Sequence, residues 1–475
     1  MSLVTDSPVH SSSSSGDFAA FLDATLDSKS SDSSPDEEAI SDVHSDSSDK
    51  EAKDDCNLIR KRPRVENLES IEETQGSTSN GFVEQQLGET QWSTSHGFVE
   101  QHLEASWKKD ICKHPGSFGE MCIVCGQRLD SESGVTLRYI HKELRLGNDE
   151  IVRLRTTDMK NLLRHKKLYL VLDLDHTLLN STLLLHLTAE EEYLKEQTDS
   201  LQEGSLFKLN SMHMMTKLRP FVHTFLKEAS AMFEMYIYTM GDRSYALEMA
   251  KLLDPRREYF DSRVISRDDG TEKHQKGLDV VLGQDSTVLI LDDTENAWTK
   301  HKDNLILMER YHFFASSCHQ FGFNCKSLSE LKSDENESDG ALSSVLKVLR
   351  QIHNLFFDEL GDTVDDRDVR QVLKTVRKEV LKNCKLVFSR VFPTTMFQAE
   401  KHQLWKMAEQ LGASCSTELD QTVTHVVSTD AGTEKSRWAV KEKKFLVHPR
   451  WIEAANYLWQ RQPEENFAVN QQKNQ

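Results

Sequence analysis

The chain has 475 residues, a formal charge of -19 and 37% hydrophobic residues, so it can hold about two or three domains of roughly 100–200 residues, with too little apolar content to fold along its whole length. The acidic balance excludes nucleic-acid binding across the whole surface, which needs Lys and Arg to neutralise phosphates, and no direct nucleic-acid partner is expected. No apolar run approaches the roughly 20 residues of a membrane span, and the acidic, Ser-rich start lacks the basic and apolar regions of a secretory signal; a soluble intracellular protein with no membrane partner is expected.

Residues 1–106 are dominated by Ser, Asp and Glu, as in SSSSSGD, SKSSDSSPDEE and SDVHSDSSDKE, a composition that predicts disorder. Inside this tail, DFAAFLDATL would place Phe18, Phe21, Leu22 and Leu26 on one helical face suited to a partner groove. The run Arg60-Lys61-Arg62-Pro63-Arg64-Val65 resembles a nuclear import signal, the alternative being a charge run that balances acidic surroundings. A tandem repeat follows, ETQGSTSNGFVEQQLG then ETQWSTSHGFVEQHLE; two polar copies are too few for a solenoid and read as a duplication in a linker.

Residues 107–160 form a knuckle and connector. Cys112, His114, Cys122 and Cys125 give C-x-H and then C-x2-C, two ligand pairs joined by a Gly-containing turn. Thiolates and imidazole at that spacing suit a structural, tetrahedral Zn2+, with a reduced metal-free knuckle as the alternative. The other cysteines, Cys56, Cys318, Cys325, Cys384 and Cys415, show no partner spacing and read as reduced thiols, mostly core filler.

Residues 161–335 alternate apolar runs (LYLVLDLD, MFEMYIYTMG, STVLILDD) with helical patterns over 219–230 and 244–254, the sequence of a Rossmann-like parallel α/β sheet. Ligands of such sheets bind beyond the carboxyl ends of the strands. Asp173 and Asp175, then Thr239, then Asp292 and Asp293 stand at those ends, with Lys276 in the connection before the third run. Carboxylates that close need cationic partners. Mg2+ prefers one or two carboxylates with phosphate oxygen and water, so Asp173 and Asp293 are expected to hold it, with Asp175 and Asp292 in the same acidic set. In-line attack by Asp173 would form an aspartyl-phosphate. Asp175 would protonate the leaving oxygen and later activate water, while Thr239 and Lys276 bind the phosphoryl oxygens.

The order DLDHTLL, YTMG, Lys276, LILDD resembles the haloacid dehalogenase superfamily. More narrowly, DLDHTLLNS, KLRPFV, YIYTMGDRSYA, SRDDG and LDDTENAW resemble the RNA polymerase II C-terminal-domain phosphatases, and most of all the plant phosphatase-like proteins of that group. The resemblance implies a nuclear protein serine/threonine phosphatase that uses Mg2+, or Mn2+ or Co2+ in its place. Its substrate would be the C-terminal repeats of the largest polymerase subunit. It also implies that Thr177 is a motif-stabilising hydroxyl, that Asp292 supports Lys276 or the metal, and that Arg219 and Asp254 are further functional positions; local pairing of Arg219 and capping of a helix end by Asp254 are the plainer readings. The insert HLTAEEEYLKEQTDSLQEGSLFKLNSMHMMTK reads as helical at its start and hairpin-like after. A small-molecule phosphatase of the superfamily and a catalytically vestigial scaffold stand as alternatives.

Residues 336–380 read as a linker helix or a pair of helices. Residues 381–470 read as a small mixed α/β domain, with 471–475 as a tail. Gly412-Ala413 after a helix, the strand THVV and Trp451 in HPRWIEAA resemble a BRCT domain, in which Trp451 is core. The resemblance implies Ser389 and Lys435 as phosphopeptide contacts. Arg390 stands where Gly would be common, so docking without phosphate selectivity, for instance of a general transcription factor, is the other reading.

Overall fold

The computed structural model describes residues 112–129, 134–198, 204–323, 325–358, 367–393 and 398–469. The acidic region 1–106, with its apolar face, basic run and repeat, lies outside the described residues, as does the tail 471–475. Among the described residues no helix is long and apolar enough to cross a membrane.

The first block is a small antiparallel sheet of β1 (Gly116–Phe118), β2 (Met121–Cys122), β3 (Val135–Thr136) and β4 (Leu144–Leu146), in the order β2-β1-β4-β3, running directly into helix α1 (Asn148–Arg164). Then comes β5 (Leu168–Leu172), whose five residues LYLVL are all buried, as a central parallel strand covered on both faces must be.

The insert after β5 makes a separate antiparallel sheet, β6 (Leu179–Leu183), β7 (Leu206–Leu209) and β8 (Met214–Leu218), ordered β6-β8-β7. A short 3-10 segment, Ala189–Glu196, opens on a Thr188–Glu191 capping box, and β7–β8 form a hairpin, matching the expected helical start and hairpin. Glu191 is fully buried and pins the insert, accepting from Ala315 N at 2.8 Å and Ser329 Oγ at 2.5 Å.

The main sheet is completed by α2 (Val222–Ser230), β9 (Phe233–Tyr238), α3 (Arg243–Leu253), β10 (Val264–Ile265), β11 (Val288–Asp292) and β12 (Leu305–Leu307); its order is β10-β9-β5-β11-β12 and every pairing is parallel. The chain leaves β5 toward β9 and returns on its other side as β11, so β5 lies at the topological switch point. Strand alternation sorts the side chains: Leu168, Leu170, Leu172, Met235 and Ile237 join one core with α2 and α3, while Tyr169, Val171, Tyr236 and Tyr238 join Leu137, Tyr139, Leu146 and Ile151 from the first block.

After α4 (Ala315–Gln320), residues 336–380 supply two helices, α5 (Ala341–Asp358) and α6 (Val369–Glu379). Instead of spanning solvent, they bury Leu342, Val345, Leu349, Ile352, Val369, Val372 and Val376 in the same core as β5. The last block is a parallel sheet of β13 (Lys385–Ser389), β14 (Ser414–Ser416), β15 (His425–Ser428) and β16 (Phe445–Val447), ordered β14-β13-β15-β16, with helices α7 (Gln403–Gln410), α8 (Glu434–Lys441) and α9 (Arg450–Leu458). Trp451 is fully buried and stacks on His425, with ring centroids 4.6 Å apart. Gly412, at φ +95°, lies so close to α6 that a Cβ there would sit 1.8 Å from the Lys378 carbonyl oxygen. Trp459, just after α9, packs into the core of the main sheet.

Candidate active site

Pairing register brings the chemistry to one edge. Leu172 stands opposite Ile237 of β9 and Leu291 of β11, so the next residues, Asp173, Tyr238 and Asp292, stand level at the carboxyl edge of the sheet, the last two as the final residues of β9 and β11. Thr239 follows Tyr238, and its amide is still held by the Ile265 carbonyl at 3.0 Å. Asp173, Asp175, Lys276, Asp292 and Asp293 line one open pocket with Met240, His274, Arg310 and Phe321.

Lys276 is the bridge. Its buried ammonium donates to Asp173 Oδ1 at 2.5 Å and Asp292 Oδ2 at 2.7 Å. Burial works against that charge, but Asp173 and Asp292 hold it above the ordinary lysine range. Asp292 also accepts from Trp298 Nε1 and Thr294 N, each at 2.8 Å, so both its oxygens are engaged. Asp173 keeps one oxygen in reserve: among the described residues no donor is bonded to its Oδ2. Burial, with the charge of Asp292 second, raises the Asp173 carboxyl well above the usual range against the pull of Lys276.

Asp175 stands in different company. Tyr245 Oη donates to its Oδ1 at 2.5 Å and Thr239 Oγ1 to its Oδ2 at 3.3 Å. Burial pushes its carboxyl up to about 6, with the Tyr245 hydrogen bond opposing. Asp293 accepts from Arg310 Nε at 2.6 Å and Thr294 Oγ1 at 3.1 Å, and its amide donates to Thr177 Oγ1 at 3.1 Å, tying the two acidic loops together.

The acids outnumber their cations. Asp173, Asp175, Asp292 and Asp293 face Lys276 and Arg310, a deficit of two positive charges when all are ionised. Asp173, Asp292 and Asp293 offer carboxylate oxygens all within 4.8 Å of one another, so the donor set fits a divalent, oxygen-seeking cation. Asp175, expected in the metal set, is outside this triad, its oxygens turned to hydroxyls.

Arg219, expected at the substrate, lies behind the site: its buried guanidinium makes a bidentate pair with Glu335 at 2.9 and 2.7 Å and donates to Thr177 O at 3.0 Å. It braces the turn after Asp175. Asp254 is not among the pocket residues; it caps the end of α3, accepting from the amides of Glu258, Tyr259 and Phe260 at 2.8, 2.7 and 3.1 Å. In the last block, Ser389 Oγ lies 2.8 Å from Thr433 Oγ1, while Lys435 Nζ donates to Thr417 O at 2.7 Å and Phe388 O at 3.2 Å. They share a strand end, with the ammonium engaged by carbonyls. Arg390 is exposed at φ 55° and pairs with Asp430 at 3.2 Å.

The cysteine–histidine quartet also comes together. Cys112 Sγ is 3.8 Å from Cys122 Sγ, Cys125 Sγ is 3.4 Å from His114 Nδ1, and the four donor atoms all lie within 4.8 Å of one another.

Sequence reasoning gave no role to Tyr245, Trp298, Arg310 or Glu335. Tyr245 and Trp298 carried a signal, since each is an aromatic with a polar tip inside a motif, DRSYA and TENAW. Arg310 and Glu335 carried none, because their partners lie 17 and 116 residues away.

Residues 168–355 match the NLI interacting factor-like phosphatase family, and residues 376–455 match the BRCA1 C Terminus (BRCT) domain. The chain is 60% identical to RNA polymerase II C-terminal domain phosphatase-like 4 of Arabidopsis thaliana, over 100% of this chain and 99% of that one. It is 41% identical to phosphatase-like 3 of the same plant, over 68% of this chain and 28% of that one. The solved structure of Fcp1, an essential RNA polymerase II CTD phosphatase, superposes with a TM-score of 0.52 at 26% identity, covering 67% of this chain and all of that one. With its end-to-end relative and its phosphatase fold in agreement, and with an acidic triad that could bind a metal, the chain is a protein phosphatase and belongs to the RNA polymerase II C-terminal domain phosphatase-like family.

Proposed function

We propose that this phosphatase removes phosphate from serine or threonine in the C-terminal repeats of the largest RNA polymerase II subunit, in the nucleus and through an aspartyl-phosphate on Asp173, and so regulates transcription. The observation that carries the chemistry is the meeting of Asp173, Asp175, Thr239 and Lys276 at one strand edge. The names of the relatives support the substrate.

Asp173 attacks phosphorus along the line of the bond to the seryl oxygen; that bond breaks and the Asp175 carboxyl gives its proton to the leaving oxygen. Asp175, now a carboxylate, takes a proton from water as the water attacks the aspartyl-phosphate, releasing inorganic phosphate and restoring Asp173. Lys276 and Thr239 would bind phosphoryl oxygens, the lysine being held by Asp292, which Trp298 and Thr294 fix in turn. Asp173 and Asp293, with Asp292 beside them, would hold Mg2+, or Mn2+ or Co2+ in its place; bound there, the cation supplies the missing positive charge and favours ionised Asp173. The BRCT block, docking a polymerase-associated protein or the repeats themselves, would raise the local concentration of a repetitive substrate.

Singly phosphorylated repeat peptides, assayed with and without Mg2+ beside Asp173→Asn, test this. Cation-dependent release that vanishes in the variant is expected. Wild-type rates in Asp173→Asn, or equal rates on sugar phosphates, would sink it.

A further inference from the structure

We propose that Cys112, His114, Cys122 and Cys125 hold a structural zinc ion, and that the module it closes braces the loop carrying Lys276. The 3.8 Å between Cys112 Sγ and Cys122 Sγ is far beyond a disulfide of about 2.05 Å. It equals the edge of a tetrahedron whose Zn–S bonds are about 2.3 Å, which is about 3.8 Å. A mixed edge, with Zn–N of about 2.0–2.1 Å, comes to about 3.5 Å, beside the observed 3.4 Å between Cys125 Sγ and His114 Nδ1. Two backbone amides point at the sulfurs, His114 N to Cys112 Sγ and Val124 N to Cys122 Sγ, both at 3.4 Å, as amides do around thiolate ligands.

The hairpin has little else to hold it. β1 and β2 are three and two residues long, and Met121, Ile123 and Val124 beside the ligands are 50%, 43% and 68% exposed. Apolar burial does not close so small a module, which is the situation in which a metal staple substitutes for a core.

From the metal site a continuous path runs to the active site. β1 pairs with β4 from Gly116 opposite Leu146 to Phe118 opposite Leu144, and the Gly147 amide donates to Pro115 O at 2.8 Å, so the quartet fixes the start of α1. From α1, Arg155 Nη2 donates to the carbonyls of Leu278, Val281 and Asp279 at 2.6, 2.8 and 3.0 Å. Tyr139 Oη takes the Val280 carbonyl at 2.9 Å. Four successive carbonyls, beginning two residues after Lys276, are therefore held by the zinc module. Arg155 is a positioning residue for Lys276.

The test uses the full chain. Metal analysis should find one zinc per chain, lost in Cys122→Ser/Cys125→Ser and kept in His114→Cys, which preserves a four-ligand site. Hydrogen exchange of amides 276–283 should speed by about tenfold or more on zinc loss while the strands of the main sheet keep their protection. If the double variant does not fold, withdrawing zinc from the wild type with a chelator gives the same reading. Arg155→Met should keep its zinc yet show the same local acceleration, with Arg155→Lys restoring part of it. A chain that takes up no zinc when supplied with it overturns the site. Unchanged exchange at 276–283 after zinc loss, or in Arg155→Met, overturns the brace. A fall in kcat for an aryl phosphate in Arg155→Met, with KM unchanged, is expected as well; this readout alone rests on the phosphatase role of Lys276, so its failure with the exchange results intact would fault that role and leave the brace standing.

Discussion

Lys276→Met removes the one cation shared by Asp173 and Asp292. The lysine side chain is 2% exposed and the two carboxylates 8% and 1%, with contacts of 2.5 and 2.7 Å, so water cannot replace the lost charge. Breaking a buried ion pair by deleting one partner costs about 3–5 kcal/mol, mostly as the penalty of the uncompensated partner. For a domain of this size each kcal/mol shifts Tm by about 2–4 °C, so the variant should melt roughly 6–20 °C lower at pH 7.5 without added divalent cation. The pH dependence has a definite sign. With the ammonium gone, burial and mutual repulsion hold both carboxyls further above their unfolded values, so the folded variant binds protons that the unfolded chain does not, and it regains stability as pH falls. The gap between wild type and variant in urea denaturation should narrow from pH 8 to pH 5.5, and Lys276→Met/Asp292→Asn should recover part of it at neutral pH. A variant within about 0.5 kcal/mol of wild type, the scatter of an ordinary surface substitution, would refute the reasoning; so would a gap that widens on acidification.

Tyr245→Phe should cut kcat by about tenfold or more, within the range of lost general-acid assistance, and, because Tyr245 holds the Asp175 carboxyl down, should move the pKa assigned to Asp175 upward in a pH–rate profile on an aryl phosphate. His425, buried between Trp451 and Phe445, has its imidazole pushed down to about 4 by burial. Burial favours the neutral ring against the opposing pull of the Glu464 carboxylate, 3.2 Å from its Nε2, so the stability it contributes is complete above its unfolded value of about 6.5 and is lost as pH falls toward 4, about 3 kcal/mol in all; His425→Phe should flatten that slope in denaturant titrations. Gly412→Ala should cost at least about 2 kcal/mol of stability, measured the same way, because it adds a left-handed residue to a backbone clash with Lys378.

Where the sequence was legible, a short-range pattern carried the information. LYLVL announces a strand buried on both faces because no polar residue interrupts it, and the three apolar runs together define the sheet and the edge where Asp173, Thr239 and Asp292 meet. The edge strands β10 and β12, at two and three residues, are too short to show any period. The apolar stripe of α5 and α6 is visible, but what it packs against is not; the helices lie on the main sheet's core because that face needs covering. Arg219 and Asp254 show the other limit. Their side chains are buried and fully engaged with Glu335 and with three backbone amides, so a position can matter to a family by holding the frame of a site it does not enter.

Within each acidic pair, Asp173 and Asp175 or Asp292 and Asp293, the two side chains are alike in sequence, and the backbone makes them unequal. Had β5 continued, Asp173 and Asp175 would share one face. Instead the strand ends at Leu172, the Thr177 and Leu178 amides turn back to Leu174 O, and His176 takes φ 62°, which swings Asp175 toward Tyr245 and Thr239. Asp292, the last residue of β11, keeps its strand direction and faces Lys276 and Trp298; Asp293 leaves the strand toward Arg310. The partners then decide what each acid can do. Asp173 and Asp292 share an ammonium whose charge is held in place, which suits a nucleophile and the support for its counter-ion. Asp175 is bonded to hydroxyls, whose hydrogens can reorient as a proton arrives or leaves, which suits a group that must give a proton in one step and take one in the next.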